Sequence, residues 1–254
     1  MKTNLDKLVC FSLAGLGIAA AANGGESPER KAGARTVPLE DATMIIEYNA
    51  SAEDIGIQFF LDSEGWREIE IFDPSGREVF SAETGGSLTR QGGGTELFLE
   101  SVEPPTADLP INRFLRRFPE GTYRFRGFDN AGNRLVGEAE FSHDIPVGPQ
   151  ILLPRAARGA ECAENVPARA AVVAWNPVRE SIEGEQIEVV RYEVIIENED
   201  DGLNFDVKLP ATVGTRLSVP VQLLRRGTSY IGEVLAVEEG GNQTISEFCF
   251  TTAN

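Results

Sequence analysis

Apolar residues in this chain alternate with polar ones in short runs, and a turn follows almost every run. In "WREIEIFDPSGREVFSA", Ile69 and Ile71 share one face, Glu68 and Glu70 share the other, and Asp73-Pro74-Ser75-Gly76 follows. Proline presets φ in such a turn, and glycine takes the corner with positive φ. A period of two predicts half-buried strands, and the turn predicts a hairpin. Because 14 prolines and 26 glycines punctuate the 254 residues, the sequence predicts an all-β chain.

The first residues have the pattern of an export signal. Lys2 and Lys7 flank the charged start of an apolar, small-residue run from Leu8 that ends in Ala20-Ala21-Ala22. This ending is typical of a cleavage site, and the run is too short and too rich in alanine to span a membrane. The sequence predicts a signal peptide over 1–22 and an exported mature chain, periplasmic or extracellular, without a transmembrane segment.

The mature chain divides into a leader and two domains. Residues 23–41 have few apolar side chains and no periodicity, which predicts a flexible leader. The stiff stretch "PVGP" at 146–149 is typical of a domain boundary. We therefore expect domains at 42–148 and 149–254, each of roughly 105 residues, which is enough for its own core.

One short helix is predicted in the first domain. Pro110 suits a first turn, Asp108 is a candidate cap, and the apolar residues that follow recur at helical spacing: Ile111, Phe114, Leu115 and Phe118. The glycine-rich stretch Gly85–Gly94 is predicted to be a loop.

The second domain carries motifs that resemble those of fibronectin type III domains. The resemblance covers about residues 150–254 and includes a Trp-x-Pro, a strand tyrosine, an "L-x-x-G-T-x-Y" corner and closing threonines: Trp175, Pro177, Tyr192, Leu224, Gly227, Thr228, Tyr230, Thr251 and Thr252. Arg226 stands where the family has a proline before the corner glycine. The resemblance implies an antiparallel sandwich with Trp175, Tyr192 and Tyr230 in its core, and a Tyr230 hydroxyl that bonds back to the entering chain.

The first domain ends in a pattern that resembles bacterial immunoglobulin-like modules. "GTYRFRGFDNAGN", from Gly121 to Asn133, has the glycine-threonine-tyrosine start, the strand and the D-x-x-G-N turn of that ending. The resemblance covers about residues 40–145. It implies two tandem antiparallel β-sandwiches, the first immunoglobulin-like and the second fibronectin type III-like.

Two cysteines, Cys162 and Cys249, remain after signal removal. Exported proteins meet an oxidising compartment. In a seven-strand sandwich of this family the first and seventh strands end at the same pole, which favours a disulfide between the two. Two separate thiols, with Cys249 facing inward, are the alternative.

The residues contain no recognisable catalytic or metal constellation and no cofactor motif. The one histidine, His143, lies at a strand end beside the domain boundary, so we expect no catalytic site, no metal site and no cofactor. Acidic residues cluster around Gly202 in the 197–206 loop. A solvated turn is the simpler interpretation, and whether the loop binds calcium stays open.

The remaining features favour a non-enzymatic binding or scaffold protein. A net charge of −17 repels nucleic acid. The long 81–118 segment is the best candidate surface, and its outer arginines, Arg113, Arg116 and Arg117, form a candidate partner surface. We expect a protein or an envelope component as partner, engaged through sandwich loops and edge strands. The alternatives are a carbohydrate-binding accessory module, for which Trp66 is the unassigned tryptophan, and a carboxylate-based hydrolase.

Overall fold

The alternating runs form strands, and the computed structural model describes them over residues 34–198, 200 and 202–254. The first half of the described chain contains eight strands and two short helices: β1 (Thr36–Pro38), β2 (Asp41–Asn49), β3 (Asp54–Trp66), β4 (Glu68–Phe72), β5 (Glu78–Glu83), α1 (Gly86–Gln91), β6 (Gly94–Glu100), α2 (Ile111–Leu115), β7 (Gly121–Phe128) and β8 (Arg134–Phe141). The second half contains eight more strands: β9 (Ile151–Leu153), β10 (Ala163–Val166), β11 (Val172–Trp175), β12 (Val189–Asn198), β13 (Leu203–Pro210), β14 (Arg216–Ser218), β15 (Ser229–Glu238) and β16 (Gln243–Thr252).

The strands build two sandwiches with the same strand order. In the first, the antiparallel strands β2-β3-β6 face β8-β7-β4-β5, and β1 adds in parallel to β8. In the second, β14-β11-β9 face β13-β12-β15-β16, and β10 adds in parallel to β16. Each sandwich buries its own hydrophobic cluster. The all-β sandwich prediction is therefore confirmed, and three strands packed against four fit a fibronectin type III-like fold.

The structure buries the three aromatic residues of the second sandwich. Trp175, Tyr192 and Tyr230 are each at most 2% exposed, and Trp175 meets the Tyr192 ring edge-on at 5.3 Å. The Tyr230 hydroxyl accepts a hydrogen bond from the Arg225 amide at 2.8 Å and donates to the Leu223 carbonyl at 3.5 Å. The hydroxyl thus pins the chain that enters β15.

The prediction of a flexible leader is wrong for its last residues. β1 pairs with β8 from Thr36 to Pro38, and Val37 and Leu39 pack against the first core. These few apolar side chains gain their burial from a distant strand, which local composition does not reveal. The predicted signal peptide and residues 23–33 lie outside the described residues.

Two local predictions in the first sandwich also need correction. Gly86–Gln91, predicted as a loop, forms α1, so the described chain has two short α-helices. One tertiary and one local bond hold α1: the Asn130 side-chain amide donates to the Thr89 carbonyl at 2.6 Å, and the Thr89 hydroxyl donates to the Thr84 carbonyl at 2.7 Å. α2 begins after Pro110 with no side-chain capping bond, so Asp108 does not cap it.

A parallel pairing joins the two sandwiches. β2 and β16 pair at Glu47↔Gln243 and Asn49↔Ile245, which makes one sheet in the order β13-β12-β15-β16-β2-β3-β6. Residues 34–254 accordingly form one compact unit. The boundary near 148/149 stays a prediction. No helix of the described residues is long and apolar enough to cross a membrane.

Asn242 connects the two sandwiches through its side chain and is 2% exposed. Its Oδ1 accepts the Ile46 amide at 2.9 Å, and its Nδ2 donates to the Ser142 hydroxyl at 3.0 Å. The Glu238 carboxylate fixes the turn by accepting the Asn242 amide at 2.8 Å. Nearby, the Thr244 hydroxyl donates to the Pro146 carbonyl at 2.6 Å. The junction is therefore a specific hydrogen-bonded contact.

Asn242→Ala is expected to lower the free energy of unfolding by about 1–3 kcal/mol, because it leaves the buried Ile46 amide without a hydrogen-bond acceptor. Urea denaturation measures the loss. The matched control is Asn204→Ala, since Asn204 is exposed and bonds only the Glu197 side chain among the contacts described for it. Equal losses in the two variants would show that the junction bond contributes nothing specific.

Candidate partner-binding surface

α2 presents a buried side and an exposed side. Phe114 and Leu115 are 2% and 8% exposed and pack into the first core. Phe118, just after the helix, lies against the Phe114 ring with centroids 5.3 Å apart. The helical repeat therefore turns the intervening arginines outward: Arg113, Arg116 and Arg117 are all exposed. We call these three residues the arginine surface.

The neighbouring β4–β5 turn supports the arginine surface. The Arg77 guanidinium donates to the Arg117 carbonyl at 3.4 Å and forms an ion pair with Asp73 at 2.9 Å. Asp73 is fully buried, and its Oδ1 accepts the Ser75 amide at 2.9 Å and the Arg77 amide at 2.9 Å. Burial alone would raise the pKa of Asp73, but the hydrogen bonds from Ser75 and Arg77 and the Arg77 charge hold it below its ordinary value. Asp73 is thus a charged anchor for the turn that contacts the helix.

His143 supports the same segment from the other end. Its Nε2–H donates to the Phe118 carbonyl at 2.8 Å, and its backbone amide donates to the Glu120 carboxylate at 2.9 Å. The ring also packs edge-on against Phe141 at 5.8 Å. His143 therefore holds the chain after α2 in place.

The arginine surface carries three positive charges that face solvent. None of its three guanidinium groups forms an ion pair with a carboxylate of the described residues. Each guanidinium is a planar fork of five donors that matches a carboxylate in two-pronged geometry. At physiological salt, charges further than about 8 Å away are screened, so the net charge of −17 does not cancel this local cationic patch. The surface can therefore bind acidic groups.

A carboxylate cluster lies at the junction, and sequence reasoning missed it. Glu47, Glu100 and Glu103 bring carboxylate oxygens within 4.8 Å of one another. The Gln58 side-chain amide donates to Glu47 at 2.9 Å and to Glu100 at 3.1 Å, and the Gln243 amide also donates to Glu47. Glu47 is more than 50 residues away from Glu100 and Glu103, so local spacing does not mark the cluster.

The remaining candidate residues lie elsewhere. Cys162 and Cys249 form a disulfide, with Cα atoms 4.7 Å apart. Trp66 is 6% exposed within the first core. The acidic 197–206 segment is not a loop throughout, because Glu197 lies in β12 and Asp206 in β13; Glu199 and Asp201 lie outside the described residues.

Two open clefts occur in the second sandwich. One, of about 410 Å³, is lined by residues that include Tyr192, Arg179 and Thr215, and its one acidic residue is Glu188. The other, of about 790 Å³, includes the disulfide cysteine Cys162, and its one acidic residue is Glu164. Neither cleft brings two carboxylates of described residues together.

No protein-family model matches this chain, and no curated protein matches it. Among solved structures, the chain is similar to a myokine structure, with 18% identity over 44% of this chain and all of the other, at a TM-score of 0.31. It is also similar to a segment of two fibronectin type III domains from chicken tenascin, with 13% identity over 84% of this chain and 99% of the other, at a TM-score of 0.30. A third similarity is to the FN1–FN3 domains of chicken CNTN1, with 11% identity over 87% of this chain and 65% of the other, at a TM-score of 0.34. Because these TM-scores are low, the fold is assigned from the strand order alone.

Proposed function

We propose that this chain is a non-enzymatic exported protein that binds another protein or an envelope component. The observation that carries the proposal is the arginine surface: three exposed cations on α2 and the two residues after it, a segment that Phe114 and Leu115 anchor in the core. Holding the helix in place before binding reduces the ordering cost of association. The partner is expected to present acidic groups.

Export is the second part of the proposal. The apolar run from Leu8 to Ala22 has the signal-peptide pattern, and the Cys162–Cys249 disulfide suits an oxidising compartment. Periplasmic and extracellular locations fit this chemistry equally well.

The alternative functions receive less support from the described residues. A carbohydrate-binding surface usually needs an exposed aromatic platform, and Trp66 is buried. A carboxylate-based hydrolase needs two acids that converge in a cleft. Each of the two clefts described above contains one acid, and the converging Glu47, Glu100 and Glu103 line neither cleft.

Reversal of the arginine surface should remove partner binding. A photo-crosslinking residue placed at the exposed Asn112 in cells that export the protein is expected to capture a partner, and Arg113→Glu/Arg116→Glu/Arg117→Glu should abolish the crosslink. The charge-matched control reverses three exposed arginines of the second sandwich: Arg155, Arg158 and Arg169. If both triple variants keep the crosslink, or both lose it, the arginine surface is not the binding site.

A further inference from the structure

β6 is the last strand of the joined sheet. It pairs with β3, and no other strand of the described residues pairs with its outer edge. Phe98, within this strand, is 41% exposed. An edge strand of this kind offers backbone groups to an incoming strand.

The alternation of hydrogen bonds along β6 shows which of its backbone groups face the open edge. The Ser101 amide donates to the Ile57 carbonyl at 2.9 Å. Bonded pairs alternate along an antiparallel ladder, so Leu99 and Leu97 also bond toward β3. The backbone amides and carbonyls of Glu96 and Phe98 therefore point away from β3, toward the edge.

The side chains at the edge follow a repeating charge pattern. Leu97 and Leu99 pack against the core, so Glu96, Phe98 and Glu100 project from the outer face. The register places Asp62 beside Glu96 and Phe60 beside Phe98. Gln58 lies beside Glu100, and its side-chain amide donates to the Glu100 carboxylate at 3.1 Å. The outer face of β6 therefore presents an acidic, an aromatic and an acidic side chain in turn.

β6 lacks the lysine and proline that commonly protect an edge strand, and the charges it carries, Glu96 and Glu100, are both acidic. The strand at the opposite end of the sheet, β13, carries Lys208 and Pro210, which are residues that discourage pairing. β6 has the sequence "GTELFLE", with no lysine and no proline. Its edge is therefore open to a strand of suitable chemistry.

We propose that the β6 edge binds an extended segment of a partner protein as an added antiparallel strand. The segment places basic, apolar and basic residues opposite Glu96, Phe98 and Glu100. This inference rests on the proposed function as a binding protein and concerns a contact separate from the arginine surface. In a second copy of this chain paired symmetrically about Phe98, Glu96 would lie against Glu100 of the other copy, and like charges directly opposite repel.

The test uses the full mature chain and the synthetic peptide TKTFTKT, blocked at both ends. Fluorescence anisotropy should show saturable binding, and hydrogen exchange should slow at the amides of Glu96 and Phe98. Glu96→Lys should weaken binding of TKTFTKT by about fivefold to tenfold and strengthen binding of the charge-reversed peptide TETFTET. Methylation of the peptide phenylalanine amide should abolish binding, because that amide bonds the Phe98 carbonyl.

The matched control is Glu78→Lys, an equal charge change at an exposed position of β5. It should leave peptide binding unchanged, as should reversal of the arginine surface. The inference is overturned if TKTFTKT does not bind, if Glu78→Lys has the same effect as Glu96→Lys, or if the methylated peptide binds as well. Each of these outcomes leaves the crosslinking result at the arginine surface intact, so the two proposals fail separately.

Discussion

Replacement of Cys162 and Cys249 by serine is expected to lower the free energy of unfolding by about 4–5 kcal/mol. The disulfide links residues that are 87 positions apart, so it removes much of the freedom of the unfolded chain. The pairing of β10 with β16 already brings the two cysteines close together, since Ala163 lies opposite Phe250. The folded state therefore needs no rearrangement to form the bond.

Urea denaturation of the oxidised protein and the double variant measures this loss. Reduced wild-type protein is the matched control, because it lacks the bond and keeps both cysteines. It should unfold with the double variant. A difference below about 1 kcal/mol between oxidised protein and double variant would contradict the loop-closure argument. Two free thiols titrated in protein purified from the envelope would contradict the disulfide itself.

Trp175→Ala is expected to lower the free energy of unfolding by about 3–5 kcal/mol. The indole is 1% exposed at the centre of the second core, and its removal leaves a cavity beside Tyr192. The surrounding strands are paired on both sides, which limits how far the site can collapse. Chemical denaturation measures the change.

Tyr230→Phe provides the comparison for this truncation. It keeps the ring stacked on Phe250 at 5.2 Å and removes only the hydroxyl that bonds Arg225 and Leu223. We expect a loss of about 1–2 kcal/mol. Equal and negligible losses in both variants would show that neither residue stabilises the sandwich as the packing indicates.

The strands and the chemistry of their turns could be predicted from the sequence alone. Period-two alternation marked segments such as Glu68–Phe72, and the proline and glycine of the following turn marked the hairpin. In the structure Gly76 has a φ of 82°, the conformation for which glycine is suited. These features depend only on residues that are neighbours in the chain, so they can be predicted from one sequence. The apolar spacing that predicted α2 is local in the same sense.

Features built from distant residues were decided only by the tertiary structure. Asn242 bonds the Ile46 amide, which is 196 positions away in the sequence, and β1 forms only by pairing with β8. α1 has no buried residue and depends on a bond from Asn130, so its own sequence resembles a loop. The exposure of the β6 edge follows from its place at the end of the joined sheet. A strand in the middle of a sheet and a strand at its edge have the same local pattern, and only the packing of the whole chain distinguishes them.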